Sequence, residues 1–97
     1  MFQEPLQPNE GALFVFNYPT KSGFWNKNVS FPIQIGFFDK NRKLIGVEKL
    51  EAYQEKSIGP TSEYLYALEV PNGFFNDIRF GTSLDNLISQ NKKCVDN

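Results

Sequence analysis

An aromatic pair, a cation and two side-chain amides fall within five consecutive residues, Phe24-Trp25-Asn26-Lys27-Asn28. An indole stacks flat ligands, while an ammonium and an amide orient a carboxylate or phosphate, so Trp25, Lys27 and Asn28 are the candidate ligand or partner surface. The same residues also have a purely structural use: Trp25 fills a core, Asn28 satisfies loop backbone groups and Lys27 is solvated. Glu69 is the fourth candidate, because it interrupts the apolar run Tyr66-Ala67-Leu68-Glu69-Val70. Buried beside a partner such as Lys27, it would be a general acid or base; turned to water, as strand alternation favours, it is an ordinary surface carboxylate. Asp39 with Lys40, Arg42 and Lys43 makes a charged tip, either a phosphate binder or the solvated turn that such charge runs usually are.

What is missing narrows the chemistry further. The chain has no His, which removes Ser-His and Cys-His nucleophile pairs and imidazole bases and metal ligands. Cys94 is the single cysteine, too few for an internal disulfide or a cysteine-rich zinc site, and it reads as an incidental thiol beside Lys92 and Lys93. No phosphate-cradling glycine loop, nucleophile elbow or pair of metal-ligand carboxylates is present, so no cofactor, no metal and no assignable catalytic residue is expected. Ten Lys and Arg against eleven Asp and Glu give a net charge of -1, without the basic excess that draws a protein to nucleic acid.

Elements must position these residues. Ala12-Leu13-Phe14-Val15-Phe16 reads as a short buried strand that stops at Asn17-Tyr18-Pro19. In Ile33-Gln34-Ile35-Gly36-Phe37-Phe38, the period of 2 puts Ile33, Ile35 and Phe37 on one face. A turn at 39–42, with Asn41 the residue best suited to a left-handed conformation, joins this strand to Lys43–Leu50 as a β-hairpin. After a polar loop, Glu63–Val70 reads as a strand with Tyr64, Tyr66, Leu68 and Val70 on one face and Leu65, Ala67 and Glu69 on the other. Thr82-Ser83-Leu84-Asp85 fits a capping box loosely, and Leu84, Leu87 and Ile88 follow at helical spacing, predicting a short helix over 83–90.

At 97 residues, with ten Phe, four Tyr and one Trp, the chain supports one compact domain over 1–97. Residues 1–11 form a lead-in segment with Pro5, Pro8 and Gly11, and residues 91–97 a polar, mobile tail. No run reaches the roughly 20 apolar residues of a membrane span, and no signal peptide opens the sequence, so the chain as written is expected to be soluble and cytoplasmic. A trimmed form of an exported protein would read the same.

The ordered blocks Gly11-Ala-Leu-Phe-Val-Phe16, Phe24-Trp-Asn-Lys-Asn28, Pro32-Ile-Gln-Ile35, Phe37-Phe-Asp39 and Tyr66-Ala-Leu-Glu-Val70 resemble the uncharacterised prokaryotic family called domain of unknown function 192. The resemblance covers roughly residues 1 to 84 and implies a compact β-sandwich or barrel-like fold; it implies no reaction. Departures are Asn26 in place of the family's methionine, Val29 where a threonine would follow Asn28, Gln34 in place of a frequent acid, and Gly81-Thr82 in place of Gly-Asp; the family pattern also implies a strand near Gly81, the alternative to a helix over 82–88. The family also implies a strand upstream of Met1, whose lack would expose a sheet edge and favour homodimerisation by edge pairing. Together these readings predict a mainly β domain that binds an unknown small molecule or protein without catalysing a reaction. The alternatives are a small enzyme using Glu69 or Asp39 as base with Lys27, and a structural protein assembling through its edge.

Overall fold

The computed structural model describes residues 10–90 and 93–96, with side chains of 89, 90 and 93–96 outside the description. Five strands and one helix follow in the order β1 (Glu10–Thr20), β2 (Ile33–Phe38), β3 (Leu44–Leu50), β4 (Tyr64–Pro71), α1 (Leu84–Gln90) and β5 (Lys93–Asp96). All strands belong to one sheet, ordered β3-β2-β4-β1-β5, antiparallel except for the parallel β1–β5 pair. The mainly β class and the short C-terminal helix are as the sequence predicts. Most of the lead-in segment, residues 1–9, lies outside the described residues, and Glu10 and Gly11 already belong to β1. Part of the expected tail, Lys93–Asp96, is a strand that covers the outer edge of β1, with Cys94 opposite Gly11.

Alternation divides the sheet's apolar residues between two cores. One gathers Leu13, Phe38, Leu44, Leu68, Val70 and Phe75 under helix residues Leu84 and Leu87. The other gathers Ile33, Ile35, Phe37, Leu50, Tyr64 and Ala67 under the half-buried Phe14, Phe24, Phe31 and Ile58. Because helix and turn cover one face and loops the other, every residue of β2 is buried. Tyr64 departs from the face predicted for it: its ring lies 4.6 Å from Phe37 and 5.4 Å from Phe16, in the second core. The cause is an irregular β1–β4 ladder, in which residues 16–19 stand against Leu65 alone between the pairs Val15–Tyr66 and Thr20–Tyr64. This irregularity also lets β1 run past Pro19 to Thr20, since proline's missing donor is tolerated where the ladder is interrupted.

The hairpin forms as expected, but the left-handed residue is Arg42 (φ 63°), not Asn41. Asp39 Oδ1 accepts from the backbone N–H groups of Asn41 and Lys43 at 2.9 and 3.0 Å, which moves the left-handed position one residue on. The helix is capped by Ser83, whose Oγ accepts from Asp85 N–H at 3.3 Å. Thr82, the first residue of the expected box, instead donates its hydroxyl to the Arg79 carbonyl at 2.6 Å.

Candidate functional site

Two loops, 21–32 and 51–63, meet over the second core. Phe24 and Ile58 exchange both backbone hydrogen bonds at 2.8 and 2.9 Å; Asn26 N–H donates to the Gln54 carbonyl at 2.7 Å, and Tyr53 N–H to the Val29 carbonyl at 2.7 Å. So close an approach needs glycine: a Cβ on Gly23 would collide with Ser57 Oγ, and one on Gly59 would lie 3.0 Å from Gly23 Cα. Asn26 locks the inside of the pair, its buried amide donating to the carbonyls of Phe31 at 2.9 Å and Glu51 at 3.0 Å.

Alternation about Asn26 then fixes where the candidates point. Phe24 packs inward, 5.1 Å from Phe14 and 6.1 Å from Phe37. Trp25 points outward and is 55% exposed, so it does not fill the core. Lys27 Nζ lies 5.5 Å from the Trp25 ring centroid, over its face, which ties the cation to the indole. Asn28 is exposed at φ 65° and turns the loop; the amide that satisfies loop backbone is Asn26, two residues earlier. Gly23, Phe24, Trp25 and Ser57 line an open cavity of about 330 Å³.

Glu69 is not part of this grouping. It is 0% exposed rather than on the surface, because the chain covers both faces of β4, not one. Ala12 and Ile35 stand opposite it on the two flanking strands. Neither of its oxygens has a hydrogen-bond partner among the described residues, so it is not paired with Lys27. Burial pushes its carboxyl up to about 7, against the opposing pull of the positively charged N-terminus. Asp39 serves its turn and lines a separate cavity of about 250 Å³ with Lys40, Asn41 and Glu63.

The family model of DUF192, described as Uncharacterized ACR, matches residues 1–85. The chain belongs to this family. A solved protein of unknown function from Novosphingobium aromaticivorans is similar to this DUF192 domain at 27% identity and a TM-score of 0.77. The match covers 84% of the chain and 60% of that protein, so the domain spans well under the full length of its structural relative. Comparison with curated proteins finds no match.

The positioning role of Asn26 and the place of Ser57 in the cavity wall of this DUF192 domain escape a reading of the sequence. The clue available there is the pair Gly23 and Gly59, one in each loop, where two backbones come into contact. Among the described residues no group of three His, Cys, Asp or Glu could hold a metal ion, and no helix is long and apolar enough to cross a membrane.

Proposed function

We propose that this domain is a non-catalytic binding module whose contact surface is the Trp25–Lys27 ridge and the cavity beneath it. The observation that carries this reading is the exposure of Trp25 on a backbone held by Asn26 and the Phe24–Ile58 pair. An exposed indole on a rigid loop offers a large contact area at little ordering cost, which is how binding surfaces concentrate their energy. Lys27 beside it favours a ligand or partner carrying an anionic group. Native mass spectrometry of the protein from its own host tests the reading. The expected result is a retained mass that is lost in Trp25→Ala with the fold unchanged. Equal spectra for the two proteins, both bare or both loaded, overturn it.

A second reading, assembly through a sheet edge, is supported by β3. Its first residue is already paired, Leu44 N–H donating to Thr82 and its carbonyl accepting from Gly81. Beyond that point, Ile45–Glu48 line an open groove of about 230 Å³ with Pro60, Thr61, Ser62 and the exposed Phe80. A sheet edge beside an exposed aromatic is a surface on which a second strand can pair. Sedimentation across a wide concentration range tests it: a dimer that Phe80→Lys dissociates is expected, and a concentration-independent monomer overturns it. The reading as an enzyme has less support, because Lys27, Asp39 and Glu69 are not brought to one site.

A further inference from the structure

The centre of the sheet holds a carboxyl group that the binding surface does not use. We propose that folding of this domain takes up a proton at Glu69, making the sheet centre a proton-linked switch that is closed around a neutral carboxylic acid and weakened when that acid ionises. The geometry carries this. Glu69 lies on β4, the third of five strands, fully sealed, with both oxygens unpartnered among the described residues. Ala12 faces it from β1, Ile35 from β2, and Ala67 and Pro71 flank it along β4, so no donor is offered by the side chains nearest in register.

The positively charged N-terminus favours an anion there, but burial outweighs it. On the same face, Glu48 stands across β2 opposite Ile35, and Glu10 stands two residues before Ala12 on β1, in register with Lys93 of β5. The covering loops carry Lys21, Lys27 and Lys56 with Glu51, Glu55 and Glu63, all exposed, and none is bonded to Glu69. An isolated carboxylate in such surroundings costs far more than the neutral acid, so the folded chain keeps the proton. The proton comes from solvent on folding and returns to solvent when the sheet opens.

Burial raises this carboxyl from an ordinary value of 4.5 to about 7. Below 4.5 both folded and unfolded chains hold the proton. Between 4.5 and 7 only the folded chain holds it, so stability falls as pH rises, and above 7 the lower stability is constant.

The test compares urea unfolding of the wild type and Glu69→Gln from pH 4 to 8.5. The ratio of their folding constants, wild type over variant, should fall by about two orders of magnitude between pH 4 and 8, with nearly all of the loss complete by neutrality. A ratio that stays constant overturns the proposal. As a check that does not depend on the variant folding, the Glu69 carboxyl carbon of the wild type is also followed by NMR. A titration midpoint near neutrality is expected, and one in the ordinary carboxylate range overturns the proposal without the variant.

Discussion

The ring of Phe75 rests directly on the backbone of Gly36: a Cβ built on Gly36 would collide with Phe75 Cζ and lie 2.9 Å from both Cε atoms. Phe75 is buried in the first core, so the ring has little room to retreat. Gly36→Ala should therefore destabilise the domain by about 1–3 kcal/mol through overpacking, although alanine suits a strand better than glycine. Urea unfolding measures the loss, and pairing the change with Phe75→Leu should recover part of it.

Gln34 holds the turn that carries Phe75. Its Oε1 accepts from Gly73 N–H at 3.1 Å and Phe75 N–H at 2.8 Å, and its Nε2 donates to Asn76 Oδ1 at 3.1 Å. Gln34→Leu leaves a buried N–H without an acceptor and should cost about 2–4 kcal/mol. Gln34→Glu keeps an acceptor for both N–H groups while losing the donor to Asn76 and adding a carboxyl, so it should cost less than the leucine change. Amide exchange at Phe75 should speed up in the leucine variant and much less in the glutamate one.

The two asparagines of the loop should behave oppositely. Asn26→Ala removes two hydrogen bonds from a buried position and is expected to cost about 2–3 kcal/mol. Asn28 is exposed with a left-handed backbone, so Asn28→Gly should be neutral or stabilising within about 1 kcal/mol. Thermal unfolding separates the two, and Trp25 fluorescence should broaden only in the Asn26 variant.

Tyr64 supplies an alkaline limit. Its hydroxyl donates to the Ser22 carbonyl at 2.5 Å, and burial pushes its pKa up from 10.0 to about 12. The folded chain keeps this proton after the unfolded chain loses it, so the contribution is full below pH 10 and gone by about pH 12. Tyr64→Phe should remove that alkaline slope while costing about 1 kcal/mol at neutral pH for the lost hydrogen bond. Melting curves at pH 9 and 11 check both.

Periodicity made the central strands legible: β2, the hairpin, β4 and the helix follow from apolar spacing that local physics enforces. What stayed hidden depends on contacts between distant residues. Glu69 looks like a surface residue until loops 21–32 and 51–63 are known to cover its face, because alternation tells which face a side chain takes and not whether that face meets water. Tyr64 changes cores because of a ladder irregularity whose partner lies on another strand. In the candidate site, residue type singles out Trp25, Lys27 and Asn28 as candidates, whereas Asn26 stands out only as one amide of the cluster and a departure from a family pattern. Its role depends on the carbonyls of Phe31 and Glu51, and the second lies 25 residues away.

The pairing of β5 with β1 constrains the kinetics of folding. Glu10 must meet Lys93, and β1 must also find β4, before either ladder repays the loop it closes. Among the described ladders, only the β2–β3 hairpin closes locally. A topology so rich in distant contacts belongs among the slower single domains, with folding times of about milliseconds to seconds. The hairpin is the natural place for a nucleus. With a nucleus at the hairpin, β5 is expected to dock after the rate-limiting step, and weakening it should then speed unfolding and leave the folding rate nearly untouched.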